Sequence, residues 1–304
     1  MITTNSFKDY ILLDAGDKEK LESWNGIVLA RPEPMALWPK IKPELWKKAD
    51  AYYVRSNKGG GRWHFNRKFE QEWKVTFDDL VFKVSPTGFK HTGLFPEQAA
   101  NWEYIKKNLP NKKSSILNLF AYTGAASMAA LSVHKDNEVL HLDASKGMNE
   151  WAKTNRDLSG FKDRTIRFIT DDCVKFLKRE IKRGHKYDAI IMDPPSYGRG
   201  PNNELFKFED KINEIVELSI ELLSDNPSFI IINTYTTGYS QTVIKNLLKI
   251  NLEKHGFKAE KIESDEIGIK VDKSETILPC GHTCRWKYEG SLWRQSSTSS
   301  RQRP

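Results

Sequence analysis

This 304-residue sequence predicts an α/β fold, a sheet wound with helices on both faces, preceded by a small mostly-β subdomain. Three observations carry that expectation. From Ser114 onward, short apolar runs alternate with stretches of helical periodicity. One run, ILNLF (residues 116–120), enters the turn AYTG and then the small-residue stretch AASMAAL, a strand, tight turn and helix. Before residue 95 the texture differs: strand-like runs are separated by turn residues, and six of the nine tryptophans lie before Asn111.

In the first part, YILLD, GIVLARP, AYYVRS and RWHFN read as short strands. EWKVTF and LVFKVSP, joined by Asp78-Asp79, read as a hairpin. Residues 91–109 (HTGLFPEQAANWEYIKKNL) join the two parts. Pro96 suits a first helical turn, and Ala99, Trp102, Ile105 and Leu109 give one apolar face. This helix is expected to pack on the α/β body with its N-terminus toward the ligand site. The body then reads as strands at 114–120, 138–143, 165–170, 187–193, 228–235, 256–263 and 282–288, with helices at 145–158, 172–183, 209–223 and 241–255. The last two strands have no helix between them, so an antiparallel strand closes the sheet. The expected boundaries are 1–90 for the β-rich subdomain, 91–290 for the α/β domain and 291–304 for a polar, disordered tail ending SSTSSRQRP.

The composition narrows the class. No apolar run is long enough to span a bilayer, so no membrane association is expected. MITTNSFKDYILLD lacks a basic segment followed by a long apolar one, so no secretory signal is expected. Three cysteines (Cys173, Cys280, Cys284) make no disulfide framework, which fits a reducing, cytoplasmic setting. The net charge of +8 is unevenly placed. Lys40 to Lys68 holds nine basic and two acidic residues, and residues 285–304 hold five basic and one acidic, leaving the remainder mildly acidic. Localised basic charge fits either a polyanion surface or an ordinary solvated one.

Four features fall at successive strand ends, where doubly wound sheets bind ligands. They are Tyr122-Thr123-Gly124, then Asp143, then Asp171-Asp172, then Asp193-Pro194-Pro195-Ser196-Tyr197. Gly124 lets the backbone approach a ligand, and the helix after it offers free N–H groups. Asp143, about twenty residues on, fits an acid that accepts from ribose hydroxyls. Asp171 or Asp172 can accept from an adenine amino group. Asp172 and Ser145 also read as helix N-caps, but caps alone explain the whole set poorly. AYTGAAS has one glycine where GxGxxG needs three, and no Gly-Lys-Ser/Thr follows it. NAD and ATP are thereby disfavoured, and S-adenosylmethionine, which needs a glycine turn but no pyrophosphate cradle, is favoured.

NLFAYTGAAS, HLDAS, TDD and DPPSYGRG resemble the successive motifs of class I S-adenosylmethionine-dependent methyltransferases. HTGLFPEQ and WAKTNRDLSG narrow the resemblance to the branch containing the large-subunit (23S) ribosomal RNA methyltransferases. It covers roughly residues 91–288 and implies a Rossmann-like seven-stranded sheet. By that resemblance Tyr122, Thr123 and Gly124 line the methionine end of the cofactor, with Asn118 and Phe120 beside them. Asp143 holds the ribose hydroxyls, with Ala144 and Ser145 near the adenine. Asp172 sits by the adenine, with Asp171 an adjacent rival. Phe95 and Gln98 reach the cofactor, and Asp193, Pro194 and Pro195 frame the transfer pocket.

Methyl transfer is an in-line displacement, so nucleophile, methyl and sulfur must be collinear and water kept out. Two prolines fix the backbone so that carbonyls and Asp193 can receive an amino group's protons. Tyr197 reads either as a base-stacking residue or as a core or lid aromatic. Methylation at carbon-5 of a pyrimidine needs a cysteine nucleophile. DPPSYGRG and NTYTTGYS contain none, and Cys173 reads as packed, so a nitrogen or oxygen acceptor is expected. Cys280, His282 and Cys284 in PCGHTC read as a strand-entry loop, and no metal site is expected. In the Lys40 to Lys68 segment Trp46, Tyr52, Tyr53, Trp63 and Phe65 mix with the basic residues, a pattern for RNA. A small β core with a basic rim reads equally well there. The sequence thus points to a base methyltransferase acting on ribosomal RNA. A methyltransferase of small molecules or proteins, and a non-catalytic RNA-binding protein keeping the fold, stand as alternatives.

Overall fold

The computed structural model describes residues 1–290 except 57–59, 89 and 237. The expected disordered tail, residues 291–304, lies outside the described residues.

The N-terminal part builds a five-stranded sheet in the order β1-β2-β3-β4-β5. Its strands are β1 (Tyr10–Gly16), β2 (Glu19–Trp24), β3 (Ile27–Pro32), β4 (Ala51–Arg55) and β5 (Gly61–Phe65). The turns at Asp17-Lys18 (φ 53° and 64°) and Asn25-Gly26 (φ 49° and 86°) are left-handed at both central residues, the hairpin geometry that matches strand twist. Strand β2 departs from the sequence reading, which placed only a polar turn after β1. EKLESW does not look like a buried strand because Glu22 points inward. There it meets Arg31 Nε at 2.5 Å and accepts from the Tyr10 hydroxyl at 3.0 Å. Strands β6 (Trp73–Phe77) and β7 (Leu80–Val84) form the expected hairpin over Asp78 (φ 50°). Phe77 and Phe82 pack against Trp102, and Phe7 against Trp24 and Phe77, so part of the early tryptophan richness is core.

Pro96–Gln98 form a short 3₁₀ turn that leads into α1 (Ala99–Asn108), whose predicted apolar face is buried at Ala99, Trp102 and Ile105, as is Leu109 beyond it. The large sheet follows, through β8 (Ser115–Leu119), α2 (Ala125–Val133), β9 (Glu138–Asp143), α3 (Lys146–Leu158), β10 (Ile166–Thr170), α4 (Cys173–Lys182) and β11 (Ala189–Met192). A small hairpin, β12 (Tyr197–Arg199) with β13 (Leu205–Lys207), precedes α5 (Phe208–Glu221). The chain continues through β14 (Phe229–Thr234), α6 (Gln241–Lys254), β15 (Ile262–Lys270) and β16 (Ile277–Lys287). Strand order is β10-β9-β8-β11-β14-β16-β15. The pairings from β10 to β14 are parallel, and β16 runs antiparallel to both its neighbours. The α/β fold with a mostly-β N-terminal region is therefore the one the sequence predicts.

Strand alternation divides the core. Ile116, Ala189, Ile191 and Ile231 face α1, α2 and the N-terminal elements. Leu117, Leu119, Ile190, Met192, Ile230 and Ile232 face α4, α5 and α6. Each such buried Leu, Ile or Met side chain contributes about 1.5–3 kcal/mol of transfer free energy. Two boundaries differ from expectation. The sixth strand begins at Ile262, not 256, because GFKAE is the exit from α6. The seventh begins at Ile277 and runs eleven residues, so Cys280, His282 and Cys284 lie within a strand and not in an entry loop. Pairing slips there: Ile267 faces Gly281 and Gly268 faces Pro279, leaving Cys280 as a bulge. Cys280 consequently packs toward the first core and Cys284 toward the second, on opposite sides of the sheet.

Candidate active site

The chain reverses its direction of strand addition between β8 and β11, and the loops after these strands border an open pocket. Phe95, Gln98, Asn118, Phe120, Tyr122, Thr123, Gly124 and Asp193, all singled out from sequence, line it together.

The loop after β8 is held in an unusual backbone. Phe120, Tyr122 and Gly124 have φ of 54°, 51° and 88°, left-handed at every second residue. Several bonds enforce it. Ala121 N donates to Leu142 O at 3.0 Å, Tyr122 N to Asp143 Oδ2 at 2.8 Å, and Thr123 Oγ1 to Gly93 O at 2.6 Å. Asn155 on α3 donates to Thr123 O at 2.8 Å and accepts from Lys83 N at 2.9 Å, joining the β6–β7 hairpin to the loop. Gly93 (φ 102°) has no room for a Cβ because the Trp151 ring would lie 2.4 Å away, so the HTGLF and WAKTN segments meet in space. At Gly124 a Cβ would come within 3.1 Å of Ala152 Cβ and 3.3 Å of His141 Cε1. The glycine thus serves the loop's φ and the close approach of α3.

Beneath the cavity Asn118 donates to Ser127 Oγ at 2.9 Å, and Ser127 in turn meets His141 Nδ1 at 2.9 Å. Burial pushes the His141 imidazole down to about 3, so this ring is neutral. Asp143 ends β9 and accepts from Tyr122 N and Ser145 N, each at 2.8 Å, and burial raises its carboxyl. Ser145 caps α3 by accepting from Met148 N at 3.3 Å. Asp172 caps α4 through Oδ1, which accepts from Lys175 N at 2.9 Å. Asp171 uses both oxygens, one on Asp172 N and the other on Arg179. Asp143, Ala144, Ser145, Asp171, Asp172, Pro194, Pro195 and Tyr197 stand outside the cavity lining.

Asp193 ends β11 at the cavity. Its Oδ1 is shielded from water and has no hydrogen-bond partner among the described residues. Burial, reinforced by the charge of Glu97, raises its carboxyl to about 7. Pro194 is buried and Pro195 exposed. Tyr197 is 57% exposed on β12, so it is no core aromatic.

Sequence reasoning missed a polar cluster on the opposite wall. Asn101 donates to Gln98 Oε1 at 2.8 Å and to Asn233 Oδ1 at 2.9 Å, and Gln98 Nε2 donates to the Tyr235 hydroxyl at 2.6 Å. The Phe95 ring sits between Tyr122 and Tyr235, with centroids 5.3 and 5.7 Å away. Glu97 is buried in the same 3₁₀ turn, and burial raises its carboxyl, while the Tyr235 hydroxyl acts in the opposite sense. The available signals were Asn101 on an otherwise apolar helix face and Asn233 closing the apolar run FIIIN.

The basic segment divides. Lys40 pairs with Glu19 at 2.7 Å, Lys42 donates to the main-chain carbonyls of Leu13 and Asp272, and Arg67 pairs with Asp50. Trp46 donates to Asp14 Oδ2 at 2.8 Å. Lys47, Lys48, Arg55, Arg62 and Lys68 are exposed and make no ion pair among the described residues. Cys173 is packed in the second core, where burial raises its thiol well above the usual range. No helix among the described residues is long and apolar enough to cross a membrane.

Residues 55–239 match the family described as S-adenosylmethionine-dependent methyltransferase. The chain belongs to that family. A solved SAM-dependent methyltransferase from Agrobacterium tumefaciens is 31% identical, with a TM-score of 0.88, covering 94% of this chain and 92% of that one. The ribosomal RNA large subunit methyltransferase K/L of Colwellia psychrerythraea is 29% identical over 243 residues, 80% of this chain and 31% of that protein. Its counterpart in Shewanella frigidimarina is 32% identical over 153 residues, 50% of this chain and 21% of that protein. The chain thus spans less than a third of the length of these curated relatives. It is a SAM-dependent methyltransferase, and its cofactor is S-adenosylmethionine. The residues present fit that group: an acid closes β9, a left-handed loop crosses the end of β8, and a buried acceptor without a partner stands at the end of β11.

Proposed function

We propose that this methyltransferase methylates a nitrogen of an RNA base, in ribosomal RNA, without a covalent cysteine intermediate. The observation that carries the acceptor assignment is Asp193 Oδ1, a buried carboxylate oxygen without a donor at the cavity. A buried acceptor of this kind is costly unless a ligand N–H completes it. The RNA assignment rests on the activity named for the curated relatives and on the exposed cations of the Lys40 to Lys68 segment.

S-Adenosylmethionine supplies a methyl group on a sulfonium sulfur. In the proposed arrangement Tyr122, Thr123, Gly124, Asn118 and Phe120 cradle its methionine end, and Phe95 and Gln98 close over it. Asp143, with Ala144 and Ser145, takes the ribose and the adjoining edge of the adenine. Asp172 is preferred over Asp171 at the adenine. Its Oδ2 has no protein donor among the described residues, whereas Asp171 is occupied by Arg179 and Asp172 N. Asp193 receives the acceptor nitrogen's hydrogen and takes the proton released when the new N–C bond forms. Pro194 and Pro195 hold the main chain at that point, and Tyr197 stacks on the base from the β12–β13 hairpin. Residues 1–90 supply the RNA surface, and residues 91–290 bind cofactor and carry out the transfer in a cytoplasmic setting.

The test is methyl-labelled S-adenosylmethionine incubated with the protein and a total cell extract. Label in acid-precipitable material that ribonuclease removes is the expected result. Label that only protease removes, or label in small molecules, overturns the RNA assignment.

A further inference from the structure

The β4–β5 ribbon has two faces of opposite character. On the inner face Tyr53 pairs edge-on with Trp63 at 5.5 Å, Trp63 Nε1 donates to Thr87 O at 2.8 Å, and the Tyr53 hydroxyl reaches Gly88 O at 3.5 Å. The ribbon thereby grips the segment that runs to His91 and on to Phe95. On the outer face Tyr52 stands directly opposite His64, and Val54 opposite Arg62. The Tyr52 and His64 rings are stacked, 5.0 Å between centroids and 8° from parallel. Arg62 Nε donates to His64 Nε2 at 3.1 Å, which holds the imidazole flat against the phenol. Tyr52 is 39% and Val54 44% exposed, and among the described residues no other element is strand-paired to the outer edge of β5.

We infer that the outer face of this ribbon, Tyr52 with His64 flanked by Arg62, is a stacking platform for a single RNA strand leading to the active site. The inference rests on the RNA reading of the function. The stacked, near-parallel rings leave an outer π face on which a base can stack without sequence preference, and the Arg62 guanidinium beside them supplies charge for phosphates. The charge balance favours a polyanion: Lys47, Lys48 and Lys68 in the same segment are also exposed and without ion-pair partners among the described residues. The ribbon also connects to the active site: its inner face holds Thr87 O and Gly88 O through Trp63 and Tyr53, and the chain runs from there to His91. The His91 ring lies 5.3 Å from Phe95, which itself lies between Tyr122 and Tyr235 at the cavity. A strand laid on the outer face therefore rests on the same ribbon whose inner face holds the segment leading to Phe95 and the cavity.

The experiment measures binding of a fluorescein-labelled twelve-nucleotide oligouridylate to the full chain by anisotropy, across a salt series. S-Adenosylmethionine affinity is measured in parallel as a check on folding. The double variant Tyr52→Val, His64→Thr keeps residues that favour strands, and it is expected to weaken RNA binding by about tenfold or more at every salt concentration while leaving the salt slope unchanged. Arg62→Gln is expected to reduce the slope by about one unit, with a smaller loss of affinity. Should the double variant lose cofactor affinity through misfolding, Arg62→Gln alone carries the test, and an unaltered salt slope overturns the platform. If wild type labels RNA and the folded double variant binds oligouridylate as tightly as wild type, the platform is wrong and the proposed function stands. If wild type labels protein and not RNA, both fail, and the face belongs to an acidic protein partner.

Discussion

The main-chain N–H of Tyr122 donates to Oδ2 of Asp143 at 2.8 Å, tying the loop after β8 to the end of β9. Asp143 therefore organises the loop, and in the proposed arrangement it also takes the ribose. Asp143→Ala removes the partner of both Tyr122 N and Ser145 N, and is expected to weaken S-adenosylmethionine binding by roughly ten- to a hundredfold, the scale of one or two charge-assisted hydrogen bonds. Titration calorimetry measures it, and equal affinity in variant and wild type contradicts the assignment.

Gly124 combines φ of 88° with Ala152 Cβ 3.1 Å from where its own Cβ would stand. Gly124→Ala is expected to lower stability by about 1–2 kcal/mol from the backbone alone. The urea midpoint should fall at unchanged m-value, and a variant as stable as wild type rejects this account of the turn.

Glu22 and Arg31 are almost fully buried, and Arg31 also donates to Lys90 O at 2.7 Å on the way to the active site. Arg31→Met removes the hydrogen-bonded partner of the buried Glu22 carboxylate, leaving it Lys20 at 4.0 Å and the Tyr10 hydroxyl, and should cost about 3–5 kcal/mol. Adding Glu22→Leu to that variant removes the stranded charge and should restore much of the loss, as thermal unfolding of the single and double variants will read.

The Asp193 carboxyl is raised to about 7, first by burial and then by Glu97. A group with a raised value is protonated below it, and a protonated Asp193 cannot take the acceptor's proton. The kcat/KM is therefore expected to fall about tenfold per pH unit as pH drops below 7. Glu97→Gln removes the neighbouring negative charge, so the acid limb should move to lower pH. Asp193→Ala should lower kcat and leave S-adenosylmethionine affinity near that of wild type. An acid limb that stays in place in Glu97→Gln contradicts the pairing.

Strand ends were the legible part of this sequence. Apolar runs that stop at a polar residue located Gly124, Asp143, Asp172 and Asp193, because a parallel strand is buried throughout and shows its end as a change of polarity. Other features were hidden for physical reasons. Strand β2 carries Glu22 inward, so its buried face reads as polar until Arg31 is seen beside it. Strand β15 contains Ser264, Asp265 and Glu266, which obscure the period of an edge strand. Gln98, Asn101, Asn233 and Tyr235 converge from segments more than 130 residues apart, and only the fold brings their hydrogen bonds together. Asp171 and Asp172 illustrate the same limit: they are adjacent in sequence, and the different surroundings of their carboxylates appear only in the fold.

The most direct test of the central claim is nucleoside analysis of RNA methylated in vitro. Total RNA from cells lacking the enzyme is incubated with the protein and methyl-labelled S-adenosylmethionine, digested to nucleosides and separated by liquid chromatography with mass spectrometry. The account predicts one labelled nucleoside carrying its methyl on a base nitrogen, absent when Asp193→Ala replaces wild type. A methyl on pyrimidine carbon-5 or on the ribose, or no label in RNA at all, would contradict it.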